Sequence, residues 1–339
     1  MLIITGTYPP ERCGVGDYTQ CILSTPTGSS FHLFYERNWQ MSNLRQLCRQ
    51  LKRTTDKVIN LQYPTMGYST HLTPHLLALY AVLCLHRRLV LTIHEYSQLG
   101  WKGKLALTLL FLIASTVIFT TEFERDAARR RNPWLRRTAI IKINSNIPVV
   151  AELKPMSERE WDVCFFGFIR PNKGLEDFLS VATELREKRK GCRVYVMGQT
   201  QKETADYGAA MLNRLNEKGI EYIGDKTKEE VAAMLNHTKV AYLPYPDGLS
   251  ERRGSFLAAA VNGCVVVSNK GPFTTSEQER LLPLADTDKA ALTILSLLED
   301  THTLDKWQER SQEYVKNNVP TSWEQIAQQY QTINLSLQS

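Results

Sequence analysis

The feature that most constrains this chain is an alternation. Short runs of β-branched and other apolar residues recur between longer stretches with helical spacing, in both halves of the sequence. Short strands and one-sided helices bury their apolar faces together when stacked as βα units around parallel sheets, so the chain is predicted to be α/β. In the first half the spacing predicts strands over Leu2–Thr5, Ser30–Tyr35, Lys57–Leu61, Leu89–Ile93, Thr116–Thr120 and Ala139–Ile143, with helices over Asn43–Lys52 and Leu72–Leu85. In the second half it predicts strands over Asp162–Phe166, Cys192–Met197, Ile220–Ile223, Val240–Leu243 and Val265–Ser268. Helices are expected between these at Leu175–Lys190, Glu203–Lys218, Lys228–Asn236, Ser255–Asn262 and Lys289–Leu298.

At 339 residues the chain exceeds the ~250–300 at which one core stops growing, so two domains are expected. Asn144 to Glu160, with two prolines and no periodicity, divides it near the middle. The resulting organisation is 1–147, a linker 148–160, 161–320, and a closing segment 321–339 whose helix Trp323–Leu337 follows the cap-like Thr321-Ser322.

Charge separates the halves. Residues 1–150 hold 18 Lys+Arg against 8 Asp+Glu, a balance of +10, whereas residues 151–339 hold 23 against 27, a balance of −4. The basic half is expected to meet something anionic: a membrane surface, a phosphorylated acceptor or nucleic acid. No nucleic-acid reading module is recognisable, so that partner is set aside. The seven cysteines are widely spaced without a CxxC or CxH pattern, which points away from a disulfide framework or a zinc module and fits a reducing cytoplasm. No secretory signal is read at the N-terminus. Leu105–Phe119, the longest apolar stretch, is too short to span a bilayer and reads as a buried helix followed by a strand.

Four places carry candidate chemistry. Tyr8-Pro9-Pro10-Glu11-Arg12-Cys13-Gly14-Val15-Gly16-Asp17-Tyr18 follows the first strand, and Gly14 and Gly16 allow a ligand close to backbone N–H groups at a helix start. A tight turn with Asp17 capping the helix is the plain alternative. Phe166-Gly167-Phe168-Ile169-Arg170-Pro171-Asn172-Lys173-Gly174 sets a fork donor and a point charge beside a helix N-terminus, which suits a diphosphate. Tyr245 to Ser255, with Ser250, Glu251, Arg252, Arg253 and Gly254, is a charged loop running into an Ala-rich helix, where ligand contact explains the charges. Gln62-Tyr63 and His94-Glu95 stand at carboxyl ends of strands, where open parallel sheets bind ligands. Asp286-Thr287-Asp288 formally matches a metal-binding D-x-D, but Asp288 sits where a helix cap belongs, so no metal site is expected.

Together these motifs resemble the group 1 (family 4) nucleotide-sugar glycosyltransferases of the GT-B type. The resemblance rests on Pro9-Pro10 with Cys13 to Tyr18, on Thr92-Ile93-His94-Glu95, on Phe166-Gly167 through Lys173-Gly174, and on Gly254 through Val267. It implies two Rossmann-like domains facing across a cleft, an N-terminal acceptor domain and a C-terminal donor domain, with the last helix crossing back to the first. It also implies transfer of a sugar from a nucleotide diphosphate sugar, the donor substrate, with retention and without a metal or other cofactor. Polysaccharide or glycolipid synthesis at the inner face of the plasma membrane, on a saccharide or lipid-linked acceptor, is the expected setting.

Carried over residue by residue, His94 approaches the transferred sugar, Gly14 and Gly16 line the cleft, and Lys173 neutralises the diphosphate. Asp17, Gln62, Tyr63 and Glu95 are the candidate acceptor contacts. Two positions depart from the family pattern. Phe168 stands at the usual arginine, leaving Arg170 as substitute. The usual glutamate pair falls on Ser250 and Ala258, leaving Glu251 as candidate carboxylate and Arg252, Arg253 and Ser255 as further donor contacts. A GT-B epimerase and a noncatalytic nucleotide-sugar binder are the competing readings. No carboxylate pair at glycosidase spacing is evident, which counts against a hydrolase.

Overall fold

A computed structural model describes residues 1–11, 13–224 and 226–338. Arg12 of the N-terminal motif and Ser339 of the closing segment lie outside the described residues. The chain forms two units, Met1–Asn144 together with Pro320–Ser339, and Ser145–Val319.

In the first unit the order is β1 (Leu2–Thr5), α1 (Gly14–Leu23), β2 (His32–Tyr35), α2 (Leu44–Arg53), β3 (Val58–Tyr63), α3 (Thr73–Leu83), β4 (Arg88–Ile93), α4 (Trp101–Ile113), β5 (Thr116–Phe119), α5 (Glu122–Arg131) and β6 (Thr138–Ile140). The six strands form one parallel sheet in the order β2-β1-β3-β4-β5-β6. Its side chains sort by parity, as a pleated strand requires. Leu2, Ile4, Ile59, Leu61, Leu89, Leu91, Val117 and Phe119 enter one core with residues of α2, α3, α4 and α5. Ile3, Val58, Val90 and Ile118 enter the other, with Tyr18 and Ile22 of α1 and Ile326, Ala327 and Tyr330 of the C-terminal helix.

The second unit runs β7 (Trp161–Phe166), α6 (Leu175–Lys188), β8 (Val194–Met197), α7 (Ala205–Glu217), β9 (Glu221–Ile223), α8 (Lys228–Asn236), β10 (Thr238–Tyr242), α9 (Gly254–Val261), β11 (Val265–Val267), α10 (Ser276–Leu281), α11 (Thr287–Glu299) and α12 (Thr301–Asn318). Its sheet is also parallel, in the order β11-β10-β7-β8-β9. The last helix, α13 (Trp323–Ser336), returns to the first unit and packs beside α1.

The α/β expectation holds, and each predicted strand is present with its ends moved by a few residues. Ser30–Tyr35 begins at His32 because Gly28–Ser30 forms a 3-10 turn. The sequence pattern missed α12, whose buried residues Leu304, Ser311 and Tyr314 are set among charged neighbours and include a serine. Leu105–Phe119 does contain a helix and a strand, but the helix is not buried all round: Leu107, Leu110 and Phe111 are inside while Leu105, Leu109 and Leu112 are exposed. No described helix is long and apolar enough to cross a membrane. The stretch read as a linker is docked on the second unit. Asn262 bonds Val150 N and Pro148 O, Asn236 bonds Lys154 N and Glu152 O, and the buried Arg159 donates to Lys154 O and Thr238 O.

Candidate functional site

In an open parallel sheet, loops diverge where the strand order reverses, and the gap between them is where ligands bind. The second unit reverses between β7 and β10. The loop after β7 carries Arg170 and Lys173, and the loop after β10 carries Tyr245 to Arg253. The two loops touch at Gly174, which has φ +79 and whose absent Cβ would lie 1.6 Å from the Pro244 carbonyl oxygen. Only glycine fits there, and its position fixes the Lys173 turn against the second loop.

The second loop is held from below. Leu249 N donates to Asn269 O, Asn269 Nδ2 donates to Tyr245 O at 2.7 Å, and Thr274 Oγ1 donates to Leu249 O at 2.8 Å. Burial pushes the Tyr245 phenol up to about 12, and its hydroxyl lies 2.7 Å from Ser255 Oγ. Arg253 stacks over the Tyr245 ring and pairs with Asp247, while Arg252 stacks over Phe273. Several polar atoms here have no hydrogen-bond partner among the described residues: Arg170 Nε, Arg253 Nε and the Oγ of Ser250, a residue only 3% exposed. Burying such groups unmet costs about 1–3 kcal/mol each, so these atoms are open to water or to a polar ligand.

The two helix starts differ. The first turn of α6 already carries Glu176 and Asp177, whereas that of α9 has no acidic residue and opens on Gly254, whose added Cβ would meet nothing within 4 Å. The N-terminus of α9 is therefore the one whose dipole is left to an anion. Glu251 is close enough to the buried Tyr314 to help raise its pKa, after burial itself, which places this carboxylate toward α12. Ala258, at the second glutamate position, is buried in α9.

The first unit reverses between β1 and β3. Here the parity of the strands sets the chemistry. One face of β3 reads Val58, Asn60, Gln62, and the corresponding face of β4 with its next residue reads Val90, Thr92, His94. Apolar at the amino end, this face becomes polar at the carboxyl end and forms a buried circuit. His94 Nε2 lies 2.8 Å from Gln62 Oε1, Gln62 Nε2 donates to Asn60 Oδ1 at 2.6 Å, and Asn60 Nδ2 donates to Thr92 Oγ1 at 2.9 Å. Thr92 Oγ1 lies 2.9 Å from Tyr330 OH, which lies 3.0 Å from Tyr18 OH. The Tyr18 ring closes the circuit with its edge toward His94, 5.0 Å between centroids. With Gln62 Nε2 donating to Asn60, its Oε1 is the acceptor, so the network assigns the Nε2 proton to His94. Burial raises the pKa of both Tyr18 and Tyr330, keeping these hydroxyls neutral.

Several expectations need correction. Gln62 is fully enclosed, and its amide meets His94 and Asn60 in this circuit. Tyr63 packs against Tyr68 and His75 within the core. Asp17 does not cap its helix: Cys13 holds the N-cap position and Asp17 lies inside the first turn of α1. Gly16 is explained by packing, since a Cβ there would be 3.0 Å from the Thr7 carbonyl oxygen, whereas Gly14 faces open space. Asp286, not Asp288, occupies the N-cap of α11. Glu95 is exposed just beyond His94. Among the described residues no cluster of three or more His, Cys, Asp or Glu is placed to hold a metal ion. Asn60, Thr92, Tyr18 and Tyr330 were missed. For Asn60 and Thr92 the signal in the sequence is the polar pair spaced by two at the end of each of two largely apolar strands; Tyr18 and Tyr330, on helices, have none.

Residues 160–300 match the family described as glycosyl transferases group 1. A direct search among curated proteins returned no match. Across essentially its whole length the chain is similar to solved structures. Sucrose-phosphate synthase from Thermosynechococcus elongatus superposes with a TM-score of 0.74 at 14% identity, covering 99% of this chain and 98% of that one. HepE from Anabaena, solved with UDP and glucose, gives 0.72 at 13%, covering 100% and 99%. A glycosyltransferase from Rickettsia africae gives 0.71 at 11%, covering 100% and 98%. At such identities the likeness speaks for the fold, and the family match speaks for the second unit. The chain thus has the two-unit α/β fold of these glycosyltransferase structures, the GT-B fold, and its residues 160–300 match the glycosyl transferases of group 1.

Proposed function

We propose that the protein transfers a sugar from a nucleotide diphosphate sugar to a saccharide or lipid-linked acceptor, with retention and without a metal, in cell-surface polysaccharide or glycolipid synthesis. The observation that carries the donor half is the convergence, at one strand-order reversal, of Arg170, Lys173, the unmet Ser250 hydroxyl and the acid-free start of α9. As the glycosidic bond breaks, negative charge grows on the leaving diphosphate. Preorganised cationic and N–H donors stabilise that charge in the role a metal ion plays elsewhere, worth roughly 10²–10³ in rate for each good donor. His94, held in one tautomer by Gln62, presents an oriented imidazole at the carboxyl end of β4. Retention is the outcome expected from the group 1 resemblance.

Lys173→Ala removes a charge-assisted contact of about 1.5–3 kcal/mol and should weaken donor binding tenfold or more in calorimetry. Because HepE was solved with UDP, UDP-sugars are the first donors to test, followed by GDP-, ADP- and TDP-sugars. Unchanged affinity in the variant would falsify the donor assignment. The buried Ala258 and the non-acidic Ser250 favour one second reading, a noncatalytic nucleotide-sugar binder. Donor binding without release of labelled sugar would establish that reading, and a product of donor mass would establish epimerisation.

A further inference from the structure

Beyond the lysines of its first turn the helix α4 is apolar except for Thr108, yet only one side is covered. Leu107, Leu110 and Phe111 are packed into the core under the sheet, while Trp101, Leu105, Leu109 and Leu112 are 66%, 58%, 57% and 61% exposed. Their spacing of four, four and three residues places them in one stripe along the outer face. The neighbouring helix α3 packs against α4 and exposes Leu76 and Leu83. Monomeric surfaces rarely carry so contiguous an apolar area without an occupant.

Charge identifies the occupant. Neither α3 nor α4 contains an acidic residue, and from 64 to 121 Glu95 is the single one. Lys102 and Lys104 stand in the first turn of α4. On the other flank, Thr108 Oγ1 donates to Asn132 Oδ1, which ties the basic turn Arg129 to Arg137 to the side of the stripe. Within that turn Trp134 is exposed, whereas Leu135 is buried and serves the core. An aliphatic stripe with a tryptophan at one end and lysines and arginines along its rim is the composition of a surface that lies in the headgroup region of an anionic bilayer.

We propose that α4, with the exposed edge of α3 and the Arg129–Arg137 turn, seats the first unit on an anionic lipid surface, with Trp101, Leu105, Leu109 and Leu112 entering the headgroup layer. This extends the reading of a lipid-linked acceptor, but attachment itself requires no turnover. The test is flotation with vesicles of phosphatidylcholine alone or mixed with phosphatidylglycerol, at low and high salt. The wild type should bind the mixed vesicles, less at high salt. The combined variant Leu105→Gln, Leu109→Gln, Leu112→Gln should lose binding by at least tenfold, with its thermal unfolding unchanged because these side chains are outside the core. Lys102→Gln with Arg131→Gln should weaken binding by about fivefold per charge. Equal partitioning onto both lipid types, no binding, or binding indifferent to the leucine variant overturns the proposal. So does a vesicle-independent dimer in sedimentation equilibrium that the leucine variant dissociates. Donor affinity measured without vesicles reports separately on the glycosyltransferase reading, so failure of one leaves the other intact.

Discussion

The carboxyl ends of the two sheets are built from the same βα plan but finished in opposite ways. In the first unit six polar side chains near the reversal point bond one another, in a circuit from His94 through Gln62, Asn60 and Thr92 to Tyr330 and Tyr18, while Thr7 Oγ1 and Thr65 Oγ1 beside them have no hydrogen-bond partner among the described residues. In the second unit the corresponding loops leave Arg170 Nε, Arg253 Nε and Ser250 Oγ without hydrogen-bond partners among the described residues. A closed network fixes orientation at little cost, whereas unmet donors are costly until something fills them. The difference teaches that the first unit spends most of its strand-end polar groups on one another, while the second leaves more of its charged loop unmet.

Four experiments press on that contrast. The largest effect is expected for His94→Ala, which removes the one imidazole the circuit orients and should lower turnover by about 10²-fold with donor affinity kept. Loss of donor affinity instead would show that the first unit also meets the donor. Next is acidification. Burial holds His75, in the first turn of α3, near pKa 4, below its unfolded value of 6.5. The unfolded chain then binds the proton that the folded one refuses. Stability is full above pH 6.5 and falls as pH drops toward 4, by about 2 kcal/mol at pH 4.5. His75→Leu should flatten that slope in denaturant titrations at pH 7 and 4.5, and an unchanged slope would assign acid sensitivity elsewhere.

Third, Gly254→Leu adds a side chain at an exposed position where the Cβ meets nothing within 4 Å, so the melting temperature should hold while donor affinity drops about tenfold, the effect of roughly 1.4 kcal/mol. If affinity stays the same, the start of α9 is not part of the donor site. The smallest effect is expected for Tyr330→Phe, which strips one hydroxyl from the circuit at about 1 kcal/mol of stability. Turnover should fall severalfold with unaltered donor affinity, and a purely structural network would show the stability change alone.

Much of this was legible from residue types and spacing. The strands were found because their apolar runs are local and fully buried, and the site loops because glycines, Arg170, Lys173 and the Ser250–Ser255 charges cluster at strand ends. The misreadings share a cause. Gly14 and Gly16 look alike in the chain, and only the approach of the Thr7 carbonyl separates a packing glycine from an open one. Leu105 and Leu107 are chemically identical, and only the position of the sheet puts one outside and the other inside.

Patterning is a property of neighbours along the chain, so the sequence by itself determined the α/β class, the two parallel sheets, the basic first half and the strand-end placement of Arg170, Lys173 and His94. Which polar groups meet is a property of neighbours in space. Tyr330 reaches Thr92 across 238 residues because α13 returns to cover the face of the first sheet that α1 shares, and no local pattern encodes that contact. The tertiary structure alone decided that His94 is hydrogen-bonded to the buried Gln62 and that one face of α4 is left to the surroundings.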